Sequence, residues 1–264
     1  MFVLLHRASS SAARINEVLD VVPAIADPPE PRASGPVRGE VEFRNVTFRY
    51  PGAERPALES ISFRARPGEV TAIIGGTGAG KTTLVNLIPR FYDAQEGAVL
   101  VDGVDVREWR QADLRAGIGY VPQRAMLFSG TIAENIRFGK ADATEEEIAR
   151  AAAIAQADGF IAEMKDGYAS EIAQGGTNVS GGQKQRLTIA RALVRRPAIY
   201  IFDDNFSALD FRTDARLRAA LKPEIARSTV FIVAQRVSTV MDADRIIVPA
   251  NLDSIAAIAR FGAD

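Results

Sequence analysis

The stretch Gly75-Gly76-Thr77-Gly78-Ala79-Gly80-Lys81-Thr82-Thr83 decides the fold. Its first eight residues fit the pattern G-x-x-x-x-G-K-[ST], a turn whose backbone N–H groups point inward at a polyphosphate. In that geometry Lys81 reaches the outer phosphates and the Thr82 hydroxyl takes a place on Mg²⁺. The flanks agree. Val70-Thr71-Ala72-Ile73-Ile74 is a short β-branched run that predicts a buried strand. After Lys81, the spacing of Leu84, Leu87, Ile88 and Phe91 predicts a helix. Strand, loop and helix in this order aim a helix N-terminus at phosphate. The bland alternative is a glycine turn that binds nothing, and the three parts together weigh against it.

Further along, Val179-Ser180-Gly181-Gly182-Gln183 sets small residues and donors ahead of a helix predicted over 184–194. There Leu187, Ala190 and Val194 share one face until Pro197 ends the pattern. Ser180 also reads as a plain N-cap, which is compatible with a second role. Ile199-Tyr200-Ile201-Phe202-Asp203 is an apolar strand ending in a carboxylate. In this order, the P-loop and the second motif resemble the ATP-binding domain of the ABC transporter family, of the exporter type. The resemblance covers about residues 10 to 248.

It implies an α/β fold: a P-loop NTPase with a RecA-like core, an antiparallel β subdomain and a helical subdomain near 125–190. The implied cofactors are ATP and Mg²⁺. Nucleotide would lie on Gly75, Gly76, Thr77, Gly78, Ala79, Gly80, Lys81, Thr82 and Thr83. Tyr50, before Pro51-Gly52, matches the aromatic that stacks on adenine, although a strand-end core tyrosine reads the same way. Thr82, Gln123 and Asp203 would surround the metal, Gln123 following Gly119-Tyr120-Val121-Pro122 as the family's Q-loop glutamine. Ser180, Gly181, Gly182 and Gln183 would close over ATP bound by a second ABC ATPase domain. Ser207-Ala208-Leu209-Asp210 matches the loop that crosses between the two.

Several positions depart from the family. Asp204 stands where a glutamate orients the attacking water, and is one methylene shorter. The carboxylate retracts by roughly an ångström, enough to cost on the order of a hundredfold in rate. Gln235 replaces the switch histidine after the strand at Thr229–Ala234; it can hydrogen-bond a phosphate but carries no charge. Gln174 stands for a common glutamate, and Val179 for a leucine, a mild apolar swap. Asp204, Gln235 and Gln123 are thus the catalytic candidates of a detuned site, while the signature lent to a partner is intact. That combination resembles the degenerate half of a heterodimeric exporter, with a different ATPase subunit as partner. Drift in an unused subunit is the alternative. Past residue 248, Pro249-Ala250-Asn251 leads into an alanine-rich segment at 252–260 instead of the usual acidic turn and glycine hairpin.

Composition narrows the rest. Lys+Arg 32 against Asp+Glu 33 offers no charge excess for nucleic acid. With no cysteine, disulfides and thiol catalysis are excluded. The one histidine, His6, falls in the N-terminal tail, so Ser-His-Asp and HExxH chemistry are excluded too. No run approaches the roughly 20 apolar residues of a membrane span, and residues 1–5 are too short for a signal peptide. Arg14-Ile15-Asn16-Glu17-Val18-Leu19-Asp20 looks like the helix leading out of an exporter's last span, and Pro23, Pro28, Pro29 and Pro31 mark an extended linker. We therefore divide the chain into 1–36, helix and linker after a transmembrane domain, and 37–264, the ATP-binding domain. The expected place is the cytoplasmic face of the membrane, held by a transmembrane partner. Two alternatives stay open: a soluble ABC-type ATP clamp, whose coiled-coil or basic cues are absent, and a non-functional exporter fragment. Trp109, with no motif around it, reads as a packing residue.

Overall fold

The largely apolar runs at 70–74, 199–203 and 229–234 lie side by side as the middle strands of a five-stranded parallel sheet. A computed structural model describes residues 2–32, 35–206, 209–234 and 243–249, with side chains from residue 11 onward. Its strands are β1 (Val41–Phe48), β2 (Leu58–Ala65), β3 (Val70–Ile74), β4 (Glu96–Val101), β5 (Val104–Asp105), β6 (Ile118–Val121), β7 (Gly130–Thr131), β8 (Glu171–Ile172), β9 (Ile199–Asp203), β10 (Thr229–Ala234) and β11 (Arg245–Ile247). The helices are α1 (Phe2–Leu19), α2 (Lys81–Leu87), α3 (Gln111–Ala116), α4 (Ile132–Arg137), α5 (Glu145–Ile154), α6 (Asp158–Glu163), α7 (Gly181–Leu193) and α8 (Phe211–Ile225).

The parallel sheet runs β11-β3-β10-β9-β6, and every residue of β9 is buried. Burial on both faces is why such strands read as continuous apolar runs. On one face Ile73, Ile201, Phe231 and Val233 pack with Leu84 and Ile88 of the P-loop helix region and with Phe43 and Phe48 of β1. On the other, Tyr200, Phe202 and Val230 pack with Leu187 and Ile189 of α7 and Leu217 of α8. The second sheet, β2-β1-β4-β5, is antiparallel. In the sequence Val41/Phe43 and Val46/Phe48/Tyr50 alternate apart from one register break, and β1 has it: pairing shifts between Phe43 and Val46, and Asn45 takes φ 47°. Asp102-Gly103, between the apolar run at 98–101 and Val104, reads as a hairpin turn, and Asp102 (φ 53°) and Gly103 (φ 82°) make one.

Three expectations need correction at their edges. The P-loop helix stops at Leu87: Pro89 follows, Arg90 turns left-handed (φ 54°), and Phe91 leaves the helical face to lie 42% exposed. The alanine-rich stretch 145–157, acidic at its start, predicts a helix over its whole length, but the helix ends at Ile154. The signature helix starts three residues earlier than its periodicity implied, because Ser180 and Gln183 close a capping box that carries Gly181 and Gly182 into the first turn.

The proline-rich linker is extended but strapped down. Arg90 donates to the Ala26 carbonyl and pairs with Asp93, Asp27 accepts from the Gln111 backbone, and Arg32 pairs with Glu108. The Asp102 carboxylate accepts three backbone N–H bonds from Arg38, Gly39 and Glu40. Trp109 is buried as expected, with its indole N–H unpartnered among the described residues. Gln235, Ser207, Ala208 and the segment 252–260 lie outside the described residues.

Candidate functional site

β3 ends at Ile74 and the chain turns through the glycine loop directly into α2. Gly80 is the helix N-cap at φ 80°, and a Cβ there would lie 2.6 Å from the Ala57 carbonyl oxygen. Only glycine takes that conformation against that wall without strain. The Lys81 side chain, 9% exposed, folds back along the loop and donates to the carbonyls of Gly75 at 2.8 Å and Gly76 at 2.7 Å. The ammonium is thereby fixed over the loop.

One helical residue on, the Thr82 hydroxyl donates to Asp203 Oδ1 at 3.1 Å. Asp203 closes β9 and is 2% exposed. Burial pushes its carboxyl up from the ordinary aspartate range, while hydrogen bonds from Thr82 and Tyr120 pull the other way. Burial, with the charge of Asp203 second, pushes the Tyr120 phenol up as well. Hydroxyl and carboxylate in contact form an all-oxygen pair of the kind a hard cation prefers. Among the described residues no group of three or more His, Cys, Asp or Glu side chains gathers to hold a metal. That fits Mg²⁺, which takes one or two protein ligands and fills the rest with phosphate and water.

Asp204, next in the chain, sits left-handed at φ 48° and accepts a hydrogen bond from Gln123 Nε2 at 3.2 Å. Aspartate tolerates this conformation better than most residues. Tyr50 shares a 2.9 Å hydrogen bond with Thr83 and stands edge-on to Phe48 and Tyr92. The structure thus joins Tyr50 to the P-loop helix, and Thr82, Asp203, Asp204 and Gln123 to one another. Gln235 lies outside the described residues.

The signature lies apart. Ser180 Oγ accepts from the Gln183 N–H at 3.3 Å, and Gln183 Oε1 accepts from the Ser180 N–H at 2.8 Å. Ser180 and Gly181 are exposed, and a Cβ on Gly181 would meet nothing within 4 Å. Among the described residues no hydrogen bond joins 180–183 to the P-loop.

Two features escaped the reading of the sequence. Asn205 is fully buried; its Nδ2 donates to the Pro122 carbonyl at 2.7 Å, and its Oδ1 is unpartnered among the described residues. With Gln123, it ties the Q-loop twice to the end of β9. The second is a groove of about 230 Å³ walled by Phe91, Arg115, Tyr120, Phe138, Arg191 and Arg195. Arg191 donates to the carbonyls of Met126 and Asn135 and lies over the rings of Phe128 and Phe138. Burial pushes its guanidinium down to about 10, so it stays cationic at neutral pH. The misplaced Phe91 periodicity was the one hint of this groove in the sequence.

Parallel core, antiparallel layer, helical layer and P-loop define a P-loop NTPase of three subdomains. A family model described as "ABC transporter" matches residues 58–207. The chain belongs to the ABC transporter family and has its ATPase fold. It is 51% identical over 252 residues to an uncharacterized ABC transporter ATP-binding protein of Mycobacterium tuberculosis, covering 94% of this chain and 43% of that protein. It is 46% identical over 250 residues to the beta-(1→2)glucan export ATP-binding/permease protein of Bradyrhizobium diazoefficiens, covering 94% of this chain and 41% of that protein. A solved bacterial Atm1-family ABC exporter with ATP bound superposes with a TM-score of 0.86 at 38% identity, covering 92% of this chain and 42% of that one. The chain thus spans less than half the length of the relatives it matches.

Proposed function

We propose that this chain is the ATP-binding domain of an exporter subunit, with ATP and Mg²⁺ on its own P-loop and its signature lent to a second ABC ATPase domain. The observation that carries the reading is the contact of Thr82 with Asp203, one residue along the chain from a Lys81 fixed on the loop. Phosphate oxygens would take over the lysine's two bonds to the loop. Backbone N–H groups of 75–83 would hold the triphosphate, and Thr82 and Asp203 would hold Mg²⁺, which screens the phosphate charge. Tyr50 would stack on the base. Asp204 would orient water from a retracted carboxylate, with Gln123 at the metal shell and Gln235 facing the outer phosphate. This chain's own site would therefore turn over slowly.

The partner follows from the signature. A signature with Ser180 and Gly181 exposed has a use only across an interface, and pairing with an identical copy would put Asp204 and Gln235 in both sites. A different ATPase domain, carrying Glu and His at those positions, leaves one efficient site completed by this chain. Residues 1–36 act as helix and linker, 37–264 as the ATPase domain, and about 125–190 as its helical part. The groove supports a transmembrane partner: Phe91 and Phe138 are 42% and 69% exposed in its wall, beside three arginines, and Phe128, 43% exposed, packs on Phe138. An acidic amphipathic segment of a membrane domain suits that chemistry, and it would hold the chain at the cytoplasmic face. The same groove favours this reading over a soluble clamp. The test is titration of a labelled ATP analogue against the wild type and Lys81→Ala; equal affinities would remove the assignment.

A further inference from the structure

We propose that Tyr120 is a positioning residue for the metal-binding carboxylate of Asp203, and that it places this carboxylate one side chain from the groove. The inference rests on the Mg²⁺ site proposed above.

Tyr120 lies in β6, paired with Ile201 of β9, so its ring reaches the end of β9 from the neighbouring strand. Its hydroxyl donates to Asn86 Oδ1 on the P-loop helix at 2.9 Å and lies farther, 3.4 Å, from Asp203 Oδ2. Thr82 holds the other oxygen, Oδ1. Thr82 and Tyr120 thus stand at opposite oxygens of the carboxylate.

A phenol carries one proton and cannot donate to both acceptors. In the arrangement we propose, the Asn86 amide is turned by half a turn from the one in which it accepts from Tyr120. Its N–H then donates to the tyrosine oxygen, and the hydroxyl proton goes to Asp203. Asn86, Tyr120 and Asp203 become a directed chain joining the P-loop helix to the metal carboxylate. A buried carboxylate with one free rotor has many useless orientations, so fixing its plane matters most for a cation that demands near-ideal geometry.

The other edge of the ring faces the groove. Tyr120 packs edge-to-face on Phe91 at 5.7 Å between centroids, and Arg115 lies over Phe91 at 5.3 Å. Both residues help wall the groove. A partner segment that displaces Phe91 therefore pushes on the ring that aims Asp203.

The experiment measures the Mg²⁺ concentration that half-saturates the metal-dependent gain in binding of a fluorescent ATP analogue. It is run on the full chain, with binding in EDTA as a check on folding and on the P-loop. Tyr120→Phe keeps the ring and removes one oxygen. It raises the half-saturating Mg²⁺ about tenfold, the size expected for a hydrogen bond to a charged group, and leaves EDTA binding unchanged. Asn86→Leu, which removes the group that directs the hydroxyl, moves it the same way by less, and gives a reading should Tyr120→Phe fail to fold. Unchanged or lower half-saturation in both variants overturns the inference, as does an equal loss of binding in EDTA, which marks a packing role only. Asp203→Asn separates the two layers. If it keeps the full Mg²⁺ response, the metal-site reading itself fails; if it loses the response while Tyr120→Phe matches wild type, only the role of Tyr120 fails.

Discussion

The P-loop and the signature are both glycine-rich turns into a helix, yet the chain completes one and leaves the other open. At the P-loop, a left-handed N-cap glycine sits against the Ala57 carbonyl, a lysine is fixed by two carbonyls, and a buried carboxylate lies within hydrogen-bond reach. At the signature, the cap is closed only on itself, and Gly181 faces open space. The difference teaches what each can do alone. A turn with its counter-charges in place holds a ligand; a turn without an opposite wall waits for one.

The largest effect that separates them is on binding. Lys81→Ala should weaken a labelled ATP analogue by roughly a hundredfold, since charge-assisted bonds to phosphate are the strong ones. Ser180→Arg, in the isolated chain, should leave the same titration within twofold. Next comes turnover. With a second domain supplying a signature, Asp204→Glu combined with Gln235→His should raise ATP hydrolysis by roughly ten- to a hundredfold, the scale of an ångström of misplacement. No gain, with binding and dimerisation intact, would place the lesion elsewhere.

Stability sharpens the contrast on a smaller scale. Gly80→Ala should destabilise the domain by about 1–3 kcal/mol in denaturant melts, because the new Cβ meets backbone at a left-handed position. Gly181→Ala should stay within about 0.5 kcal/mol of wild type. The smallest effect is at Asp203. Its pKa is raised by burial, so keeping it ionised costs the fold stability above its folded pKa, and that cost fades as the pH falls through that value. At neutral pH, without nucleotide, Asp203→Asn should therefore raise Tm while abolishing the Mg²⁺ response.

The fold was legible where chemistry constrains the backbone. The P-loop, β3 and β9 follow from glycine spacing and doubly buried strands, and the hairpin from Asp102-Gly103. Helix ends were less so: the apolar period ran on to Phe91, but Pro89 and the left-handed Arg90 turn that residue out to the groove. Long-range partners were the least legible. Nothing local marks Tyr120 or Asn205: Asn205 follows β9 outside any strand, and the contacts of Tyr120 with Asp203 and of Asn205 with Pro122 span 83 residues each.

The account stands most directly on one measurement: ATPase activity of the complex co-purified with its natural partner domain, comparing Ser180→Arg and Lys81→Ala in this chain. On the proposed pairing, Ser180→Arg should remove most of the activity, because it would spoil the efficient site across the interface, and Lys81→Ala should reduce it less, because it would empty only the slow site. The opposite ranking, or full activity from this chain paired with itself, would contradict the account.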